Sequence, residues 1–261
     1  VVPNKSSLYK EKLPTRYRTS DGVSRVAQMR EAMGSNDRFS NLVFLHDGLE
    51  RAKKDHLIYE PKGSHWNDLG AYFGYRGIMD ALGIKPRALN DFIIDEAPDY
   101  RSMAAFYMPN YSNRICKSPV LRHKQKVDYI EHVDCFSGSL GSSLPNNAHL
   151  IDDCIKVFET EFKDKGTLLL FGDSFSDKLL PFLKYHFSKI TFFSLRQINF
   201  DLVEALAPDY VIHQICERFF SNAYLSPNFS LRNYKHTALD QAPIQNLQNQ
   251  FMLDFSSQHM R

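Results

Sequence analysis

Two side chains in this 261-residue sequence stand where acyl chemistry could be done. The first is Ser174, within GTLLLFGDSFSDKLL (166–180). An apolar run, Leu168–Phe171, ends at Gly172-Asp173-Ser174, and helix-starting residues Ser176 and Asp177 follow. A strand that turns sharply into a helix puts the turn at the carboxyl edge of a sheet, where open α/β sheets bind ligands. A serine there lies beside the positive end of the next helix. Its own backbone N–H can meet a developing oxyanion. Ser174 is therefore a candidate nucleophile. The same residues also read as a simple helix cap, Asp173 and Ser174 accepting the first free N–H groups. The local pattern leaves the two readings level. A nucleophilic serine needs a base from elsewhere in the chain. The second side chain, His65, lies in EPKGSHWNDLG (60–70), on a loop marked by Pro61 and Gly63. A histidine at a helix start is positioned by the backbone, although an isolated loop histidine is usually only a surface residue. Trp66, the only tryptophan, reads as a core anchor or as a ring that stacks on sugar.

The elements that must carry these residues follow from periodicity. Asn67 or Asp68 caps a helix with Leu69, Tyr72, Phe73, Ile78 and Met79 on its apolar face. Short apolar runs at Leu42–Leu45, His56–Tyr59, Leu89–Ile94, Val127–Val133 and Ile155–Phe158 are strand candidates. From Gly166 the pattern is regular. Strand Leu168–Phe171, helix Asp177–Phe187, strand Ile190–Phe193, helix Asp201–Leu206 and strand Tyr210–Ile215 succeed one another. Such alternation predicts βαβ units and a parallel sheet. A further helix is expected over Val23–Met33, and Gly48–Lys54 reads as a polar helix. Residues 84–150 read as an irregular insertion or subdomain, with a loop at Ser137–Asn147. Residues 221–261 form a tail rich in Asn and Gln, with a helix near Ile244–Leu253.

Composition narrows the function classes. Hydrophobic residues make up 43% and charged residues 24%, enough for a large core. A net charge of +2 gives no reason to expect a nucleic-acid partner. No apolar run reaches the length of a membrane span. The four cysteines, Cys116, Cys135, Cys154 and Cys216, show no C-x-x-C spacing, and the ten histidines show no metal-ligand spacing. Cys154 and Cys216 fall in apolar segments as buried thiols, whereas Cys116 and Cys135 could pair in an oxidising compartment. No metal or organic cofactor is expected. Asn4, Asn110 and Asn228 begin N-x-S sequons, which matter only in a glycosylating host.

Taken together, GDSFS behind an apolar strand and SHWN opening a helix about a hundred residues earlier resemble the SGNH-like acyltransferases. The nearest group is the alginate O-acetyltransferase family of exopolysaccharide-modifying proteins. The opening VVPNKSSLY with KLP, and PDYVIHQICERFF with its Glu217-Arg218 pair, resemble that family too. The resemblance covers roughly 1–220, the expected catalytic domain, and implies a three-layer α/β/α, flavodoxin-like parallel sheet. It implies that Ser174 is the acyl-accepting nucleophile and His65 the general base. Arg196 in FFSLRQ is implied near the oxyanion or substrate, with Trp66 in the same role. The Glu217-Arg218 pair reads as structural. The implied partners are a polysaccharide or oligosaccharide acceptor and an acetyl donor delivered by a membrane-bound acyltransferase. The implied location is extracytoplasmic, in the periplasm or at the cell surface, with a membrane tether in the full-length protein.

One departure matters. The family carries an acid two residues before the histidine, and here that position is Gly63. In a serine-protease triad, an Asp→Asn change at the corresponding acid lowers turnover about 10⁴-fold. Asp68, Asp173 or an acid of the middle region could orient His65 instead. A backbone carbonyl could do so in a Ser–His dyad. The expected function is acetyl transfer through a Ser174 acyl-enzyme to a polysaccharide hydroxyl. The rivals are a carbohydrate esterase using the same pair, and a glycan-binding domain without catalysis.

Overall fold

A computed structural model describes residues 1–18, 25–34, 40–99, 116–135, 154–196 and 198–219. Its strands are β1 (Phe92–Asp99), β2 (Cys116–His123), β3 (Tyr129–Cys135), β4 (Cys154–Thr160), β5 (Thr167–Gly172), β6 (Lys189–Phe193) and β7 (Tyr210–Gln214). Its α-helices are α1 (Lys5–Leu8), α2 (Thr15–Arg18), α3 (Arg25–Met33), α4 (His46–Ala52), α5 (Asp68–Ala81), α6 (Leu180–Leu183) and α7 (Phe200–Leu206).

The sheet is built on β5. Leu168 to Phe171 are all apolar and all buried, as a strand covered on both faces requires. β6 and β7 flank β5 and run parallel to it. The order of the main sheet is β3-β4-β6-β5-β7. Alternate residues of β5 point into two separate cores. Leu168 and Leu170 join Trp66, Tyr72, Tyr75, Phe175, Phe182 and Leu183 on the side of α5 and α6. Leu169 and Phe171 join Phe193, Leu195 and Leu202 on the side of α7. The result is the expected three-layer α/β architecture. From β5 the chain crosses to β6 on one side. From β6 it crosses back past β5 to β7 on the other. The carboxyl end of β5 is thus the point where the connections diverge, the place at which open α/β sheets offer a ligand-binding crevice.

Several expectations change with the coordinates. The sheet is mixed: β4 runs antiparallel to β6, and β3 antiparallel to β4. Only residues 161–166 join β4 to β5, too few for the crossover that parallel strands need. The helix expected over Asp177–Phe187 is a 3₁₀ turn, Ser176–Lys178, followed by the single turn α6. Pro181 lies in the first turn of α6, where a missing N–H costs nothing; inside a longer helix it would break the ladder. Leu42–Leu45 forms no strand of the sheet, and its partner is the chain start: the Leu45 N–H donates to Val1 C=O at 3.1 Å. His56–Tyr59 contributes only an isolated bridge, Tyr59 to Trp66.

Within 84–150, β1 and β2 form their own antiparallel sheet, whereas β3 belongs to the main one. Phe92 packs edge-on against Tyr72 of α5. Of the two cysteines whose pairing the sequence leaves open, Cys116 is a free thiol at the start of β2. Cys135 stands in register with Cys154. Cys216 is buried as expected, and burial pushes its thiol up to about 11. The Ser137–Asn147 loop, the 221–261 tail with its expected helix, Asn110 and Asn228 lie outside the described residues.

Candidate active site

The turn that carries Ser174 is held by the residue before it. Asp173 is buried, and each carboxylate oxygen accepts a backbone N–H: Phe175 at 3.0 Å and Cys216 at 2.8 Å. Its carbonyl accepts the Ser176 N–H at 2.9 Å. A buried carboxylate must be satisfied in this way. Here that requirement ties the end of β5 to the residues after β7. Ser176 Oγ donates to Gln214 Oε1 at 2.7 Å, a second tie to β7. Ser174 itself is half-buried in the turn after β5. Among the described residues, nothing accepts its backbone N–H. That donor is available to an oxyanion.

His65 comes from the other half of the chain. The bridge between Tyr59 and Trp66 makes residues 58–67 a tight hairpin, with Asn67 N–H donating to Ile58 C=O at 3.1 Å and Glu60 N–H to His65 C=O at 3.0 Å. Asn67 ends it. Its Oδ1 caps α5 by accepting the Gly70 N–H at 3.0 Å, and its Nδ2 donates to Leu57 C=O at 2.6 Å. The Lys5 ammonium donates to three carbonyls of the loop, those of Glu60, Pro61 and Gly63, at 2.5 to 3.0 Å. Trp66 lies fully buried in a groove over Gly70 and Gly74; a Cβ on Gly74 would sit 2.5 Å from its ring. Its indole N–H donates to Phe175 C=O at 3.0 Å. One residue of the hairpin thus grips one residue of the Ser174 turn, and their neighbours are brought together. His65 Nε2 lies 2.6 Å from Ser174 Oγ, although 109 positions separate them. The His65 ring packs on Phe175, with centroids 4.7 Å apart. In this geometry Nε2 accepts the serine proton, so the neutral ring carries its own proton on Nδ1.

The remaining candidates fall elsewhere. Trp66 has no exposed surface and its N–H is committed to Phe175, so it supports the site from beneath instead of meeting substrate. Asp68 gives one oxygen to Lys178 Nζ at 2.9 Å and the other to the Leu121 N–H at 3.1 Å. Asp173 is committed to the turn. Both of these acids thus have partners other than His65. Arg196 is exposed and lies over the Phe219 ring at 3.9 Å. Arg218 lies over Phe219 and over Phe175, at 4.9 and 5.3 Å. Arg218 thus shares the Phe175 ring with His65, whereas Arg196 is linked to it only through Phe219. Glu217 turns away from Arg218 and accepts the Asn4 N–H and the Ser7 hydroxyl. The sequence reading missed Phe175, Lys178 and Lys5. An apolar residue inside the polar GDSFS turn was the available signal for Phe175; the two lysines carried none. Among the described residues, no cluster of three or more His, Cys, Asp or Glu could hold a metal.

No protein-family model matches this chain, and no curated protein matches its sequence. Solved structures do match. A DHHW family protein from Eubacterium siraeum is similar with a TM-score of 0.62 at 19% identity, over 84% of this chain and 77% of its own. Bacillus cereus PatB1, solved with a sulfonyl adduct, is similar with a TM-score of 0.57 at 15% identity, over 84% of this chain and 80% of its own. At these identities the likeness is one of fold: an α/β domain with the same arrangement through most of the chain.

Proposed function

We propose that this protein is a serine O-acyltransferase that moves an acetyl group, through a Ser174 acyl-enzyme, to a hydroxyl of a cell-surface or secreted polysaccharide. The observation that carries this reading is the 2.6 Å contact between His65 Nε2 and Ser174 Oγ at the divergence point of the sheet. In the first half-reaction Ser174 Oγ attacks the donor's acyl carbon while its proton passes to His65 Nε2. The carbonyl oxygen gains negative charge and meets the Ser174 N–H. As the carbon–leaving-group bond breaks, His65 returns the proton to the leaving group. In the second half-reaction a sugar hydroxyl gives its proton to His65 and attacks the acyl carbon. The bond to Ser174 Oγ breaks, and Oγ takes the proton back. Bond making and breaking balance without a metal or cofactor.

The acetyl donor, delivery by a membrane-bound acyltransferase and an extracytoplasmic location are supported by the resemblance of GDSFS and SHWN alone. No helix among the described residues is long and apolar enough to cross a membrane. A sulfonyl adduct on PatB1 suggests the first probe. A sulfonyl fluoride and an activated acetyl ester should each add one group to the protein by intact mass, at Ser174, with no adduct in Ser174→Ala. An acetyl group that then passes to added oligosaccharide identifies a transferase, whereas one lost only to water identifies an esterase. A wild-type protein that takes neither label, yet binds glycan, would overturn the catalytic reading.

A further inference from the structure

A neutral His65 that accepts from Ser174 carries its proton on Nδ1, and that proton needs an acceptor. The position that carries the acid in the resembling family is Gly63, and Asp68 and Asp173 are committed elsewhere. The space that a side chain at 63 would occupy is nevertheless not empty. A Cβ built on Gly63 would lie 2.1 Å from Glu60 Oε2, and 3.1 and 3.2 Å from two further side-chain carbons of Glu60. Another residue's carboxylate has taken the place of the missing one.

The hairpin explains how it gets there. With Tyr59 bridged to Trp66 and Asn67 donating to Ile58, the register puts Glu60 directly opposite His65. The Glu60 N–H to His65 C=O bond confirms that pairing. Directly opposite residues of an antiparallel pair project on the same side, with Cβ atoms about 5 Å apart. Glu60 is 7% exposed, and a buried carboxylate in an enzyme-like crevice demands polar partners. Lys178 Nζ stands 3.8 Å from Oε1 and favours the ionised form. Oε2 is the oxygen on the Gly63 side, and Lys5 clamps the carbonyls of 60, 61 and 63 so that the loop cannot open to expose it.

We infer that Glu60 is the positioning residue of the site: its carboxylate, seated over Gly63, accepts the Nδ1 proton of His65, fixes the reactive tautomer and stabilises the imidazolium formed during transfer. This rests on the Ser174–His65 reading above and names the group that reading leaves out. Gly63 is then a requirement, since any side chain there would expel the carboxylate. The carboxylate comes from the position facing the histidine across the hairpin, not from the position two before it.

The test uses two measurements on the intact chain. The rate of Ser174 labelling by a sulfonyl fluoride is followed against pH. The midpoint of His65 titration is followed by NMR, which reads the Glu60–His65 contact whether or not Ser174 reacts. Among the described residues, the charged groups near the pair include Lys178, Lys5, Arg218 across the Phe175 ring and, through Lys178, Asp68, and these are left unchanged. Glu60→Gln should slow labelling by about 10²- to 10⁴-fold and lower the His65 midpoint by about one pH unit or more, because a neighbouring carboxylate raises it. Glu60→Gln that labels at the wild-type rate with an unmoved midpoint overturns the inference while leaving the Ser174 reading intact. A wild type that never labels overturns that reading, and the midpoint shift still decides the contact. Should Glu60→Gln fail to fold, two double variants replace it. Glu60→Ala/Gly63→Asp puts a carboxylate back at 63, and Glu60→Ala/Gly63→Asn puts a carboxamide there. Faster labelling with Asp by about 10²-fold or more supports the assignment; equal rates overturn it.

Discussion

In the proposed mechanism Ser174 and His65 divide the chemistry unequally: the hydroxyl would form the covalent bond and the imidazole only move protons, so its removal would leave a slow reaction. His65→Ala should therefore reduce acylation of Ser174 by about 10²- to 10⁴-fold without abolishing it. Time-resolved intact mass with an activated acetyl ester would show this. A second histidine shows what burial does without catalysis. His186 is held down to about 4, first by burial and then by the Lys165 and Arg87 charges, and it stays neutral to accept the Tyr75 hydroxyl at 2.6 Å. The unfolded chain binds that proton near 6.5, the folded chain only near 4. The contribution is whole above pH 6.5 and fades as pH falls from there toward 4. His186→Phe should flatten the stability–pH slope over that window by about one proton, measured by urea unfolding at several pH values. An unchanged slope would mean that His186 is charged in the fold.

At the scale of elements, the site depends on one close contact between α5 and the hairpin 58–67. Gly70 lets the helix touch the strand: a Cβ there would lie 2.0 Å from Ile58 C=O and 2.8 Å from Trp66 Cβ. Backbone cannot yield as a side chain can, so Gly70→Ala should destabilise the fold by about 1–3 kcal/mol or more and displace His65 from Ser174. Thermal unfolding together with the labelling rate would detect both effects. Trp66→Phe keeps most of the packing but leaves the buried Phe175 carbonyl without its donor. A loss of about 1–3 kcal/mol is expected, with slower labelling because the serine turn loses its grip on the hairpin. If Trp66→Phe labels at the wild-type rate, the turn is held by Asp173 and the Ser176–Gln214 bond without the indole.

Across the whole molecule, the amino-terminal segment joins the two halves of the site. Val2 bridges in parallel to Cys216 beyond β7, and Lys5 reaches the loop before His65. Glu217, also past β7, accepts from Asn4 and Ser7. A segment far from Ser174 in sequence thereby fixes the separation between the sheet edge and the histidine loop. Lys5→Met should leave the sheet intact while hydrogen exchange rises in residues 58–66, by tenfold or more in the amides that the loop protects. Exchange confined to the residues around position 5 would show that the loop holds itself.

How much of this was readable beforehand depended on the range of the interaction. The buried strand β5, the turn after it, the helix start at Asn67, strands β6 and β7 and the helix between them were legible, because burial and capping leave local patterns within a few residues. Ser174 and His65 could be singled out for the same reason, each beside a helix start. Other features were set by partners distant in the chain. They include the antiparallel edge of the sheet, the reach of Lys5, the seat of Trp66 under the turn and the commitment of Asp68 to Lys178 and β2. Glu60 belongs with these. Its glutamate is plain in the sequence, but the hairpin register that turns it toward His65, and the absence of a Cβ at Gly63 that makes room for it, exist only once the chain has folded. Sequence determined which groups could do chemistry; the tertiary structure decided which of them meet, because a few ångströms of backbone register govern whether two side chains touch.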